Sequence, residues 1–473
     1  MRAALSRADG QRTPPGKAFA NALQTHYSIS GMAALAENQE LARATRRLDA
    51  LTDWERRPRG KMRVGLEPMI DLAQRLGDPQ KSFRSIHVAG TKGKGSVSAL
   101  IEAALVRAGL SVGRYASPHV ERLTERVSLD SREIGEAALA RALERALDAY
   151  EAARAASTPA AGATWFDLLT AAAFLIFAET EREWAVVEVG LGGRLDSTNI
   201  VNGEIAVVTN IGLEHTEILG KTRAAIAREK VGILKQGATL VTPLDADDEA
   251  GRVLQARADE LGSRVKRPRL HPGATIEQVN LTLAAAVLGE LRRRSVRGRS
   301  GEPVGAALLD EEARAAARLP GRMERFDLDL GARRVPVVLD GAHVPFNLEA
   351  VLRDLALTPE LAGACVAVVA LAADKDAEGF LSVLGRRASA AVFTDLPGSS
   401  RGRAPGELQA LAASLGLRSE VERQAKRALS RGLELACQAD AWLLVTGSLY
   451  LIGAVRPAIV EAANRLAPVG GPG

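Results

Sequence analysis

Two cysteines, Cys365 and Cys437, are all that the 473-residue chain contains. That excludes a disulfide framework and a cysteine-rich zinc site, and it fits a reducing, cytoplasmic setting. Long apolar runs are also missing. The longest, such as residues 364–373, reach half of the roughly 20 residues that a membrane-spanning helix needs. No secretory apolar region follows Met1. Nor is there a marked excess of one charge: 62 basic against 57 acidic residues leave a net +5. That is small for the length, so neither a general nucleic-acid binder nor a membrane protein is indicated. Lysine is scarce, eleven among those 62 basic residues, which makes each lysine informative. What remains is a globular composition, 47% hydrophobic and 25% charged, long enough for extensive cores. At roughly 150 residues per domain, two or three domains are expected.

From about residue 44 short β-branched runs alternate with helical patterns, which predicts parallel sheets with crossover helices. Residues 85–89 read as a strand. Val97, Leu100, Ile101, Ala104, Leu105 and Ala108 then recur at helical spacing, and Gly109 suits the helix end. Residues 184–189 and 205–209 read as further strands, 136–156 as an Ala-rich helix and 157–162 as a loop. Residues 291–305, dense in Arg and Gly, read as an exposed, solvated loop. The pattern breaks at Leu319-Pro320-Gly321, and a second series of strands follows at 335–339, 365–371, 391–394 and 442–445. The expected organisation is an α/β chain in three parts. Residues 1–43 form an extension, flexible or preceding a true start at Met32; its Arg2, Arg7, Arg12 and Lys17 against Asp9 also suit a transit peptide. Residues 44–320 form a parallel-sheet domain, and 321–473 a smaller Rossmann-like one.

Gly90-Thr91-Lys92-Gly93-Lys94-Gly95-Ser96 joins a predicted strand to a predicted helix. Glycines let backbone N–H groups turn toward an anion, the helix N-terminus adds positive partial charge, and a lysine can reach terminal phosphates. The spacing varies the usual P-loop, because Gly95 stands where Ser or Thr normally follows the lysine. Three further segments end predicted strands, where open α/β sheets bind ligands. Glu188 closes an apolar strand, and a carboxylate there is costly unless paired or bound to a metal. His215 follows the 205–209 strand; alone it reads as a structural histidine, beside a phosphate loop as a ligand. Ser117, in Ser117-Pro118-His119, is either a turn residue or a hydroxyl for Mg²⁺, which prefers oxygen ligands. Lys230 is either a solvated helix lysine paired with Glu229 or an amine able to add carbon dioxide and become an anionic carbamate ligand, chemistry closed to arginine.

The strings His87 through Ser96, Ser117-Pro118-His119, Glu188 through Asn199, Asn210 through Gly220 and Leu339-Asp340-Gly341-Ala342-His343 resemble the folylpolyglutamate synthase/dihydrofolate synthase family of the Mur ligase superfamily. Residues 61–67, Pro320-Gly321-Arg322 and Thr446-Gly447-Ser448 extend the resemblance over roughly 45–460. It implies an ATP-binding and pterin-binding Mur ligase central domain followed by a glutamate-ligase domain. The implied activity is ATP-dependent addition of L-glutamate to dihydropteroate, folates or both through an acyl phosphate. ATP and two Mg²⁺ ions are the implied cofactors, and a monomer is expected.

By the same resemblance the backbone of Gly90, Thr91, Lys92, Gly93, Lys94, Gly95 and Ser96 holds the phosphates, with Lys94 on the transferred group. Ser117, Glu188 and His215 are the implied Mg²⁺ ligands, and carbamylated Lys230 serves a second ion. Thr164, Trp165, Phe166 and Asp167, with Leu195, Asp196 and Ser197, line the implied pterin pocket. Asn280 is the implied adenine contact, Arg322 reaches the phosphates, Asp340 holds the ribose, and His343 lies near the interface. Four positions depart from the family pattern: Lys92 for Asn, Asp167 for Glu, Val344 for Asn and Ala454 for Glu. Two rival readings stand beside this one. A peptidoglycan-precursor ligase would need an additional N-terminal domain, and only 89 residues precede Gly90. A nucleotide-binding module without turnover would rest on Val344 and Asp167 alone.

Overall fold

The computed structural model describes residues 39–55, 65–331 and 333–465. The β-branched runs form two sheets. Strands β1 (Arg84–Ala89), β2 (Val112–Tyr115), β3 (Val127–Leu129), β4 (Arg132–Glu133), β5 (Trp184–Glu188), β6 (Gly203–Val208), β7 (Thr239–Val241) and β8 (Arg264–Lys266) make the first, in the order β4-β3-β2-β5-β1-β6-β7-β8. All pairings from β2 to β8 are parallel, and β3 and β4 fold back antiparallel at one edge. Strands β9 (Glu324–Asp329), β10 (Arg334–Asp340), β11 (Cys365–Val369), β12 (Ala388–Phe393), β13 (Ser419–Val421) and β14 (Trp442–Thr446) make the second, in the order β13-β12-β11-β14-β10-β9. Only β9 runs antiparallel to its neighbour. This is the α/β architecture expected from the sequence, a phosphate-loop-type parallel sheet followed by a smaller Rossmann-like unit.

Central strands are covered on both faces, which is why they read as unbroken apolar runs. Ile86 and Val88 of β1 and Val186 and Val187 of β5 are completely buried. Helix Lys94–Arg107 packs Val97, Ile101, Ala104 and Leu105 on one face, beside Ile276–Arg293. Helices Glu136–Ala156 and Trp165–Glu179 cover the other. Helix Gln39–Asp49 docks Leu41, Ala44 and Leu48 against Glu136–Ala156. Residues 39–43 therefore belong to a packed helix, although the sequence reading placed them in the extension; the 41/44/48 spacing gives them an apolar face. The rest of that extension, 1–38, lies outside the described residues, as do 61–64.

The 291–305 stretch is less exposed than its composition suggests. Helix Ile276–Arg293 takes its first turn, Val296 and Val304 are buried, and Arg299 Nε donates to Gly109 O at 2.8 Å. Two valines anchor a short hairpin that the arginines only decorate. Because the strands are parallel, segments following β1, β2, β5 and β6 emerge at one edge. There they meet residues following β10 and β14, across a cleft of about 1490 Å³.

Candidate active site

The phosphate loop begins where β1 ends. Gly90 takes φ +148°, and a Cβ there would lie 1.9 Å from Thr209 Oγ1, so only glycine fits. The segment after β6 braces the loop: Lys92 N donates to Asn210 Oδ1 at 2.9 Å, Asn210 Nδ2 returns to Lys92 O at 3.0 Å, and Gly212 N donates to Thr91 Oγ1 at 2.9 Å. Helix Lys94–Arg107 starts at Gly93 with no side-chain cap. Its first-turn amides are thus left for an anion. Thr91, Lys92, Gly93, Lys94, Gly95 and Ser96 all line the cleft. Asn280 is buried against this loop, its Oδ1 2.8 Å from the position of a Cβ on Gly93.

Glu188 stands at the end of β5, 4% exposed. Among the described residues its nearest cation is Lys94 Nζ, at 3.8 Å from Oε1, and the Ser117 amide donates to it. Burial pushes its carboxyl above the usual value, opposed by Lys94, Arg322 and Arg114. Ser117, Glu188 and His215 all line the cleft. Among the described residues no three His, Cys, Asp or Glu side chains cluster as a ready-made metal site. A divalent ion here would take a hydroxyl, one buried carboxylate, an imidazole and ligand oxygens, and the under-paired Glu188 carboxylate fits that demand. His215 holds φ +53° at the N-cap of Thr216–Leu219.

Lys230 is not the solvated lysine that its helix position suggested. Glu229 pairs with Arg194 at 2.9 Å, while Lys230 is buried and its Nζ donates to Gly90 O at 2.9 Å. Burial, with Lys94 nearby, lowers its pKa to about 7, so a neutral amine is accessible near neutral pH.

The implied pterin residues divide. Thr164 and Asp167 form a capping box: Asp167 Oδ2 accepts from Thr164 N at 2.8 Å and from its hydroxyl at 2.7 Å. Ser197 Oγ donates to Asp167 Oδ1 at 2.6 Å. Asp196 accepts from Leu191 N at 2.7 Å and Thr198 N at 3.1 Å, which folds the Gly-rich 190–196 turn. Burial raises both carboxyls. Thr164, Phe166, Asp167, Leu195, Asp196 and Ser197 line the cleft. Trp165 does not, contrary to the expectation from the sequence. It is 2% exposed in the core, its Nε1 donates to Asp49 Oδ1 at 3.0 Å, and Arg126 lies over its ring at 4.9 Å. Consecutive helical residues point about 100° apart, so one faces the cleft and the other the core.

From the second sheet, Asp340 ends β10 and accepts from Met323 N and Ala342 N, each at 2.9 Å. Arg322 and Asp340 line the same cleft as Lys94. Val344 is 5% exposed at the N-cap of Pro345–Leu355, where no side chain caps the helix. The polar contact that Asn would supply is absent.

Sequence reasoning missed the group that joins the two sheets. Glu214 Oε1 lies 3.1 Å from Lys92 Nζ, 2.7 Å from His343 Nε2 and 3.2 Å from Lys375 Nζ. Burial alone would raise the Glu214 carboxyl, but these neighbours outweigh it and hold it well below the usual range. Burial lowers Lys92 to about 8 and His343 to about 4. Nδ1 of His343 lies 2.8 Å from Gly341 O, and its Nε2 lies 2.7 Å from both Lys92 Nζ and Glu214 Oε1. Arg401 adds a second link, pairing with Asp374 at 2.9 Å and donating to Glu55 O at 2.9 Å. Lysine scarcity could have flagged Lys375, which follows the apolar run of β11.

Comparison with known proteins agrees with this geometry. The family described as Mur ligase middle domain matches residues 88–285, and that described as Mur ligase, glutamate ligase domain matches 321–449. The folylpolyglutamate synthase of Lacticaseibacillus casei is 30% identical over 418 residues, 83% of this chain and 94% of the relative. The dihydrofolate synthase/folylpolyglutamate synthase of Escherichia coli K12 is 34% identical over 340 residues, 68% and 75% of the two chains. Among solved structures, E. coli FolC in complex with DHPP and ADP superposes with a TM-score of 0.73 at 29% identity, covering 90% of this chain and 98% of that one. The Yersinia pestis bifunctional folylpolyglutamate synthase/dihydrofolate synthase with AMPPNP and Mn ion gives 0.70 at 28%, covering 89% and 98%. This chain belongs to the folylpolyglutamate synthase/dihydrofolate synthase family of Mur ligases.

Proposed function

We propose that this protein is an ATP-dependent ligase that joins L-glutamate to dihydropteroate, to folates, or to both. One observation carries the reading: an uncapped helix N-terminus with Lys94, the buried Glu188, and Arg322 and Asp340 from the second sheet all open on a single cleft, opposite the wall that holds Phe166 and Asp167.

In this reading the amides of 93–96 hold the nucleotide phosphates, those of Thr91 and Lys92 being spent on Asn210, and Lys94 and Arg322 stabilise charge on the transferred phosphoryl group. The substrate carboxylate takes that phosphoryl, ADP leaves, and the glutamate amine attacks the acyl carbon; the new C–N bond forms as phosphate departs and the amine gives up a proton. Ser117, Glu188 and His215 would hold Mg²⁺, with Lys230 as a carbamate for a second ion; the metal supplies charge neutralisation at the phosphates. Asn280 and Asp340 contact adenine and ribose. Phe166, Asp167, Leu195, Asp196 and Ser197 contact the pterin, and His343 borders the glutamate side. The working units are 44–320 and 321–473, the protein acts as a monomer, and its setting is the cytoplasm. Among the described residues no helix is long and apolar enough to cross a membrane.

Phosphate release from ATP tests this reading, measured with dihydropteroate or tetrahydrofolate, each with and without glutamate. Release that needs both the pterin substrate and glutamate is expected. Silence with both pterin substrates, or release driven by a different acid or amino acid, overturns it.

A further inference from the structure

The loop that carries Ser117 is gripped by the other half of the molecule. Helix Leu449–Asn464 follows β14, and its Gly453 meets the backbone after Ser117-Pro118-His119. A Cβ on Gly453 would lie 1.9 Å from Val120 O and 3.0 Å from its carbonyl carbon. The two backbones therefore touch, and any side chain at 453 would force them apart. One turn on, Arg456 Nη1 pairs with Glu121 at 2.6 Å, while its Nε and Nη2 pair with Glu324 at 2.8 and 2.6 Å. Positions three apart share a helix face, so glycine and arginine act on one loop. Val120 packs its side chain into the core of the second sheet.

The gripped segment is stiff. The Glu125 carboxylate collects the amides of Val120, Glu121 and Arg122 at 2.7, 2.8 and 2.8 Å, and Arg126 Nε donates to His119 Nδ1 at 2.9 Å. A shift at Val120 or Glu121 is thus passed along the backbone rather than absorbed. Just upstream, the Ser117 amide donates to Glu188.

We infer that Gly453 and Arg456 are positioning residues: docking of helix Leu449–Asn464 onto Val120 and Glu121 sets the Ser117–Glu188 pair, so that a divalent ion binds well only when the two halves are docked. This inference rests on the proposed reading of Ser117 and Glu188 as metal ligands. It extends that reading by naming a helix whose Leu449, Tyr450 and Arg456 line the same cleft and whose Gly453 and Arg456 act on the metal through the 117–121 loop.

The test uses the full-length protein, Mn²⁺ as probe and a non-hydrolysable ATP analogue, with bound Mn²⁺ followed by electron paramagnetic resonance. Gly453→Ala and Arg456→Met should each weaken Mn²⁺ binding about ten-fold, as loss of outer-sphere support typically does. Glu121→Gln should weaken it less, and Arg456→Lys should restore part of the loss. Analogue binding in the presence of a chelator should fall by much less than Mn²⁺ binding, because Lys94 and the loop amides stay in place, a contrast that a general loss of structure would not give. If Gly453→Ala does not fold, Arg456→Met and Glu121→Gln decide the matter. Wild-type Mn²⁺ affinity in Arg456→Met overturns the inference and leaves the proposed function standing. A wild-type protein that binds no Mn²⁺ beside the analogue overturns the metal reading, and the inference with it.

Discussion

Replacing Glu214 by Gln would remove the carboxylate that Lys92, His343 and Lys375 share while keeping shape and volume, and would leave Asp374, 3.6 Å from Lys375, in place. At an effective dielectric near 20, a unit charge 3.1 to 3.2 Å from each lysine represents about 5 kcal/mol of gross attraction apiece. Most of that is offset by the desolvation of burying the charges, and breaking a buried pair costs ~3–5 kcal/mol in practice. Lys92 has an escape. With a folded pKa of about 8, shedding its proton at neutral pH costs only about 1.4 kcal/mol per unit. The Lys375 arm loses a charged hydrogen-bond acceptor but keeps a neutral one, roughly 1–2 kcal/mol. The expected total is about 2–3 kcal/mol, or on the order of 5–10 °C in the melting of a domain of this size.

The pH dependence of that deficit has a definite sign. Glu214 attracts Lys92 only while the amine is protonated, which it is below about pH 8 in the fold. The Lys92 share of the wild-type advantage is capped near neutral pH, where the variant's amine can release its proton, and is gone once the wild-type amine also titrates above about 8. Burial has also set the folded value below the ordinary 10.5, so both proteins gain background stability as pH rises from 8 to 10.5, and the comparison removes it. Calorimetry of wild type and Glu214→Gln, ligand-free, at pH 7 and pH 9.5 provides the measurement. A shift under a degree at pH 7, or a deficit that does not narrow at pH 9.5, would refute this account of the inter-sheet contact.

Three further outcomes are expected. Lys94→Ala should cut glutamate-dependent phosphate release about a thousand-fold while circular dichroism and melting stay near wild type; unchanged turnover would remove Lys94 from the phosphate site. Lys230→Ala and Lys230→Arg should both be inactive, and ¹³C-bicarbonate should give wild type a carbamate resonance that fades as pH falls from 8 to 6, through the value near 7 below which the amine is protonated; no resonance at pH 8 would sink the carbamate. Trp165→Phe should lower stability by roughly 1–3 kcal/mol, through the lost indole hydrogen bond and cation–π contact, with the KM for the pterin substrate unchanged. Phe166→Leu should do the reverse, raising that KM about three- to ten-fold; the opposite pattern would return Trp165 to the pocket.

Buried parallel strands announced themselves because both of their faces are covered. The runs at 184–189 and 365–371 fall on β5 and β11 within two residues, and the 136–156 periodicity falls on Glu136–Ala156. Edge strands left little trace. β8 is Arg-Val-Lys and β9 alternates charge with Phe and Leu, since one face or edge meets water and nothing apolar is required there. β2 hides for another reason: Gly113 admits the Phe177 ring, which would stand 2.4 Å from a Cβ, and Arg114 pairs internally with Glu102 at 2.7 Å, so a buried strand reads as polar.

The same distinction governs the site. Phosphate-loop glycines are legible because a local backbone conformation demands them, and Glu188 is legible because a carboxylate in an apolar strand contradicts its surroundings. Glu214, Lys375, Arg401, Gly453 and Arg456 each satisfy their local context as ordinary surface or helix residues. Their roles arise from partners 122 to 346 positions away, which no window along the chain brings together. Trp165 is the converse case: a polar-tipped aromatic beside a motif looked like a ligand contact, but its indole N–H had already found Asp49. What separates a site residue from a core residue here is whether its hydrogen-bonding capacity is used up inside the fold. By that criterion Glu188, with no cation nearer than 3.8 Å among the described residues, is a cleft group whose hydrogen-bonding capacity is not used up inside the fold.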